Sequence, residues 1–416
     1  MLRNFLVNTL LVLFSALLSI VIFEYALRVY YFGSLAEPKK SKPGEYRTPH
    51  RTRGWALKPF YSGHLNTLDY SVILRTNAEG FRDVEHSLVA DDGVFRVVVL
   101  GDSFMEAYQV PLQQSFSRQL EKRLAEYSTE VINLGVGGYG TTQQYLTLEE
   151  IGLAYKPDLV VLAFFGNNDV RNNHPELERL LWGKDTLKTY GRPFAKIEAD
   201  NTIEMQLPDW ERVSKWVASR DQAAKKRAEQ SKVLENTLLH HLITRVFETR
   251  AVKDPSLPKY NANVWLGAQL TTFNPSLSSV ALSEEDYTQI WNEGWKVSER
   301  LITEIADLTR NNDSEFLLIT VPAKIEIEEN FRSMIGELYT GLVFDTRQTG
   351  RRLSRLSAET GIRFLDLQPE FLQAYQATGQ PLFHHLSDRH WNIEGHRLAA
   401  EKTAGYIFSE ILGRSK

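Results

Sequence analysis

The sequence reads as an α/β protein built on a doubly wound parallel sheet, with an apolar N-terminal helix ahead of it, and three observations lead there. Short β-branched apolar runs recur, namely FRVVVL (95–100), EVINL (130–134), DLVVLAFF (158–165), EFLLITV (315–321) and IRFLDL (362–367). Helical segments separate them. The first three runs also end in glycine-rich or polar clusters. Unbroken apolar runs mark strands buried on both faces, and strands that alternate with helices give a parallel sheet covered on both sides.

Asn4 to Phe23 (NFLVNTLLVLFSALLSIVIF) is about twenty mostly apolar, uncharged residues, long enough at 1.5 Å per residue for a hydrocarbon core of ~30 Å. Glu24 and Arg28 end the run, and Tyr25, Tyr30 and Tyr31 suit an interfacial belt. With no short apolar core and no small-x-small cleavage site, the segment reads as an uncleaved transmembrane anchor over residues 1–32. Cations crowd the far side of the span, from Arg28 to Arg53. That count favours a cytoplasmic bulk, but large domains translocate largely regardless of charge. The expectation is a single-pass anchor with an extracytoplasmic, periplasmic catalytic domain.

Residues 33–90 read as a linker and N-terminal extension. Gly33, Pro38, Pro43, Gly44, Pro49, Gly54 and Pro59 punctuate 33–60, and 61–90 suggests short strands and turns. Residues 91–416 form the main domain. After the first strand, Phe116, Leu120, Leu124 and Tyr127 line one face of an amphipathic helix. A second helix spans Thr141 to about Tyr155. Between the third and fourth strands the rhythm breaks, which places a large, mostly helical insertion at about 171–300. Its charged helical stretch runs from Trp210 to Leu239. Trp210, Trp216, Trp265, Trp291 and Trp295 either stack on sugar rings or pack a subdomain core.

The 416 residues are 43% hydrophobic and 24% charged, enough for a sizeable core in one large domain or two. A net charge of −4 gives no support to nucleic-acid binding. The absence of cysteine excludes disulfides, thiolate catalysis and cysteine-ligated zinc.

Ligands of open parallel sheets bind at the carboxyl ends of the strands. Gly101-Asp102-Ser103, Gly135 to Gly140 and Gly166-Asn167-Asn168-Asp169 follow the first three strands, and Ser387-Asp388-Arg389-His390-Trp391-Asn392 comes about twenty residues after the last. A serine hydroxyl is a weak nucleophile until a base takes its proton, and the base needs an acceptor on its other nitrogen. Ser103 at a strand-to-helix turn, His390 as base and Asp388 as its acid partner satisfy that need. Backbone N–H groups near Ser103 and at Gly138, with the side-chain amide of Asn168, can face a developing oxyanion. Each residue has a blander role as well: Ser103 as a helix cap, Gly138 and Asn168 as turn formers, His390 as one of several local histidines. His384, His385, Asp388 and His390 also suggest a metal site, but no second ligand cluster is obvious, and neither metal nor cofactor is expected. Asp102 is read as fixing the turn.

VVVLGDSF (97–104), NLGVGGYG (133–140), GNND (166–169) and DRHWN (388–392) resemble, in order and spacing, blocks I, II, III and V of the SGNH or GDSL-type hydrolases. The resemblance covers roughly 95–170 and 315–410. It implies the SGNH hydrolase fold, a flavodoxin-like sheet, with Ser103 as nucleophile, His390 as base, Asp388 as acid, and Ser103, Gly138 and Asn168 as oxyanion donors. The usual last block is Asp-x-x-His. The shorter Asp-x-His-Trp form, together with RTNAEGFRD (75–83), is similar to anchored bacterial members that handle O-acetyl groups on envelope polysaccharides, including alginate acetylation proteins. The implied function is a serine esterase acting on an acylated carbohydrate or other ester. The alternatives are an O-acyltransferase with the same residues and a catalytically silent glycan-binding scaffold.

Overall fold

The computed structural model describes residues 2–32, 45–67, 69–183, 186–229, 270, 283–339, 341–384 and 388–413. The chain separates into two units, residues 1–40 with 217–259, and residues 41–216 with 260–416. In the smaller unit, Leu2–Phe32 is one helix of 31 residues, a length the sequence allows because no glycine or proline interrupts it. Its described apolar side chains, among them Val7, Leu11, Phe14, Leu17 and Phe23, are exposed. The expected span at Asn4–Phe23 falls inside this helix. Among the described residues, however, no helix is long and apolar enough to cross a membrane, so the crossing rests on the sequence run alone.

The larger unit opens with two hairpins, β1 (Arg47–His50) with β2 (Gly54–Leu57) and β3 (Ser62–Asn66) with β4 (Ser71–Arg75), both antiparallel. Residues 45–60 are therefore not the irregular run that their prolines and glycines suggested. Pro49 is tolerated because a two-stranded ribbon has free edges. Gly54, at φ +80°, starts β2 where a Cβ would meet the Gly191 carbonyl oxygen at 2.0 Å. Trp55, Leu57, Leu65, Val72 and Leu74 are buried. The linker residues 33–44 lie outside the described residues.

Five strands then build the central sheet: β5 (Phe95–Leu100), β6 (Thr129–Asn133), β7 (Leu159–Phe164), β10 (Glu315–Thr320) and β11 (Arg363–Leu365), with a separate hairpin of β8 (Phe194–Ile197) and β9 (Ile203–Gln206) between the third and fourth. Their order is β11-β10-β7-β5-β6 and every pairing is parallel. Counted along the chain this is 2-1-3-4-5, the flavodoxin-like order, whose switch point lies between its first and third strands. All six residues of β7 are buried, which is why the sequence shows an unbroken run there.

Side chains alternate across the sheet. Val98, Leu100, Val160, Leu162 and Leu318 face one core, closed by the helices Thr141–Glu150, Glu284–Arg310 and Gln348–Thr360. Val97, Val99, Val161, Leu317 and Ile319 face the other, closed by Phe116–Arg123, Gln368–Thr378 and Ile393–Ile407.

The insertion is smaller than the expected 171–300. Helix Glu284–Arg310 is the crossover onto β10, docked through Trp295, Ile302 and Ile305, so residues 284–300 belong to the core. Trp291 and Trp295 are accordingly buried and unavailable to sugars. Trp210 carries the Arg51 guanidinium 5.2 Å over its ring, Trp216 is half-buried, and Trp265 and residues 230–239 lie outside the described residues. Trp295, 5.8 Å from Phe164 ring to ring, fixes the crossover helix to β7. Trp295→Ala should lower stability by about 3–5 kcal/mol, seen as a reduced urea midpoint at unchanged slope. An unmoved midpoint would mean that the helix is not docked there.

Candidate active site

Ser103 follows β5 because the strand ends at Leu100 and a four-residue helix, Ser103–Glu106, begins at once. Asp102 caps it, accepting the Phe104 N–H at 2.9 Å. That fixes Ser103 in the first helical turn, where backbone N–H groups are unpaired. Asn168 sits at the equivalent place after β7, in the helix Gly166–Asn172. Ser103 and Asn168 thus flank the switch point of the sheet.

His390 arrives by a different construction. Phe383 and Trp391 form a β-bridge, and His384 N–H donates to the His390 carbonyl at 3.0 Å. Trp391 is fully buried, packs on Phe104 and Phe371, and donates its indole N–H to the Pro322 carbonyl at 3.3 Å. Asn392 caps the next helix, its Oδ1 accepting the N–H groups of Glu394 and Gly395. In DRHWN, then, the tryptophan anchors and the asparagine caps, which leaves the histidine between them aimed at the strand ends. Ser387 and His385 lie outside the described residues.

The three groups meet in one line. Ser103 Oγ stands 2.7 Å from His390 Nε2, and His390 Nδ1 stands 2.5 Å from Asp388 Oδ1. The same Oδ1 accepts the His390 backbone N–H at 2.9 Å. Burial alone would push the Asp388 carboxyl up, but the hydrogen bond and charge of His390 hold it well below the usual carboxylate range. Burial alone would likewise push the imidazole down, and the Asp388 carboxylate instead raises it above its ordinary value.

Asn168 Nδ2 donates to Asp102 Oδ2 at 2.9 Å, which fixes the amide and leaves a second N–H for a ligand. Asp102 is therefore held by the Phe104 N–H and by Asn168, apart from the Asp388–His390 pair. Burial raises its carboxyl above the usual range, against the pull of the Phe104 N–H and His390. Asp169 beside it, buried and facing Asp102, is raised well above that range.

These side chains line a cleft of about 380 Å³ with Phe104, Phe165, Ile325, Phe331, Arg171 and Arg389. Ser103, Asn168, Asp388 and His390 share it, whereas Gly138 is not among its lining residues. Gly138 stands on the neighbouring loop at φ +80°, a conformation glycine adopts without strain. That loop is clamped on both sides. Glu106 accepts the Gly137 N–H, Trp55 Nε1 donates to the Gly137 carbonyl at 3.2 Å, and Asn172 Nδ2 donates to the Gly138 carbonyl at 3.2 Å. Among the described residues no group of three or more His, Asp or Glu side chains is arranged to hold a metal ion.

Two neighbours of Asp388 went unread in the sequence. Tyr70 O–H donates to Asp388 Oδ2 at 3.3 Å, and the Asp388 N–H donates to Asp69 Oδ2 at 2.9 Å. They lie 318 and 319 positions from it along the chain, so no local spacing could have exposed them.

Residues 99–264 match the GDSL-like Lipase/Acylhydrolase family. No curated protein matches the chain. Among solved structures, an acetyl xylan esterase, AlAXEase, is similar at 15% identity over 75% of this chain and 100% of that one, with a TM-score of 0.37. TesA is similar at 11% identity over 75% and 97%, with a TM-score of 0.36. A catalytic mutant of an acetylxylan esterase from Geobacillus stearothermophilus is similar at 13% identity over 75% and 94%, with a TM-score of 0.35. Likenesses this distant say nothing about substrate. With the parallel sheet and the cleft at its switch point, the chain is an ester-acting hydrolase, similar over residues 99–264 to the GDSL-like lipases and acylhydrolases.

Proposed function

We propose that the chain is a serine esterase in which Ser103 is the nucleophile, His390 the general base and Asp388 its orienting acid. The observation that carries this is the 2.7 Å contact of Ser103 Oγ with His390 Nε2, continued at 2.5 Å to Asp388. As Oγ attacks the ester carbonyl carbon, its proton passes to Nε2, and the carbonyl π pair moves onto oxygen. The Ser103 backbone N–H, Asn168 Nδ2 and the Gly138 N–H are the donors proposed for that oxyanion. Collapse breaks the bond to the alcohol oxygen, which takes the proton from the imidazolium. Water, deprotonated by the same nitrogen, then attacks the acyl-serine and releases the acid. Asp388, ionised throughout, stabilises the transient imidazolium.

The acyl group we propose is O-acetyl on a carbohydrate. The support is the resemblance of Asp388-Arg389-His390-Trp391 to the branch that handles such groups, and a cleft larger than an acetyl group alone. Hydrolysis and transfer differ only in what resolves the acyl-serine. An activated acetyl ester supplied with and without a glycan acceptor separates them, by whether acetyl ends on water or on sugar.

A fluorophosphonate probe should label wild-type protein and leave Ser103→Ala unlabelled; a folded wild type that resists the probe ends the esterase reading. The acid limb of kcat/KM should lie above the ordinary imidazole value of about 6.5, because the base works only when neutral and Asp388 raises its pKa. Asp388→Asn should move that limb to lower pH and cut turnover by about 10⁴. A limb at or below the ordinary value would contradict the assigned base.

We also propose membrane attachment through Leu2–Phe32, with the catalytic unit outside the cytoplasm. The uncharged run Asn4–Phe23 and the exposure of Val7, Leu11 and Phe14 support attachment. The full chain should stay with membranes through alkaline carbonate washing, and a C-terminal topology reporter should read extracytoplasmic. Release into the wash, or a cytoplasmic signal, refutes the respective half.

A further inference from the structure

We propose that the turn between β3 and β4 is a positioning element of the active site, in which Tyr70 and Asp69 hold Asp388 in line with His390. The inference rests on the Ser103 esterase reading and goes beyond it, since it adds to the site two residues of a hairpin that precedes the central sheet. Asp388 Oδ1 is occupied by His390, through both Nδ1 and the backbone N–H. That leaves Oδ2 and the Asp388 N–H to fix the tilt of the carboxylate and the path of the chain. Tyr70 O–H takes the first and Asp69 Oδ2 the second. Both come from one tight turn, closed by the Thr67 N–H to the Tyr70 carbonyl at 2.9 Å and by Thr67 Oγ1 accepting the N–H groups of Asp69 and Tyr70 at 3.1 Å.

The turn is itself fixed against the site. The Tyr70 ring meets Tyr108 at 6.2 Å and His384 at 5.3 Å, both edge-on, and Tyr108 lies 6.2 Å from the His390 ring. A carboxylate two residues from the histidine it serves has little chain with which to set its own angle. Contacts from a distant hydrogen-bonded turn supply what the short spacing lacks.

The test measures ester turnover, its pH profile and fluorophosphonate labelling in the full chain. Tyr70→Phe keeps the ring and its packing and removes one donor to a charged acceptor. It should lower kcat about tenfold with KM within about twofold. The acid limb should move to higher pH, because a carboxylate with one donor fewer pulls harder on the imidazolium. Asp102 and Glu106 face the imidazole, and His384 faces the carboxylate; Tyr70→Phe keeps the ring that packs on His384, and none of the variants replaces any of the three. Asp69→Ala should lower kcat by a similar factor, and Asp69→Asn, which keeps an acceptor oxygen, should recover most of it. An active wild type whose Tyr70→Phe and Asp69→Ala variants keep its kcat and its acid limb overturns this inference alone. So does a loss of kcat with an unmoved limb that Asp69→Asn fails to restore. A wild type that neither labels nor hydrolyses ester fails the Ser103 reading first.

Discussion

The proposed esterase asks a single imidazole to touch a hydroxyl on one side and a carboxylate on the other, and the structure brings the three together. Ser103 and His390 are 287 positions apart, yet proton transfer between them requires heavy atoms within about 2.6–3.2 Å. No flexible arrangement holds such a distance. The hydroxyl is therefore set on a capped helical turn directly after a strand buried at every residue but its first, and the imidazole beside an indole with no exposure. Phe104 joins the two supports: it follows the serine, and its ring lies 4.7 Å from His390 and 5.1 Å from Trp391. Packing on one aromatic side chain thus sets the register between the two ends of the chain.

Buried carboxylates next to the site follow from the same demand. Asp102, Glu106 and Asp169 have no solvent exposure, and an ionised carboxylate taken from water costs several kcal/mol unless hydrogen bonds replace its hydration. Asp102 is met by the Phe104 N–H and Asn168, Asp169 by the Phe165 N–H at 2.8 Å, and Glu106 by the Gly137 N–H, with Arg47 at 3.8 Å. Each of these contacts ties down a loop that carries a candidate oxyanion donor. Donors held this way need not reorganise when charge develops, which is where most of the benefit of such groups lies.

The sheet was legible because its signal is local. A strand such as β7, covered on both faces, must be apolar at every position, and Val97 and Val99 against Val98 and Leu100 need only alternate between two cores. Ser103, Asn168 and His390 were legible as residue types after strands and as blocks in a known order. What escaped was anything decided by a partner far along the chain. Pro49 and Gly54 look like linker punctuation until one sees that Gly54 touches Gly191 and that Trp55 seats on the loop of Gly137. Likewise Trp295 within the supposed insertion gave no sign that it packs on Phe164. Tyr70 and Asp69 had no motif at all.

The two N-terminal hairpins deserve to be counted with the catalytic domain for a physical reason. One reaches the loop of Gly138, through Trp55 on Gly137 and through the Tyr139 O–H on the Trp55 carbonyl; the other reaches Asp388. The sheet fixes Ser103 and Asn168 because both follow strands. Gly138 stands farther out, five residues beyond β6, and Asp388 and His390 come after the helix Gln368–Thr378 and not after a strand of the sheet. Residues 45–75 make contact at both of these places, as well as with Glu150, Gly191 and Trp210. A scaffold that is rigid in the middle of the site and open at both sides needs bracing at the sides, and an extension folded back over the strand ends can brace both at once.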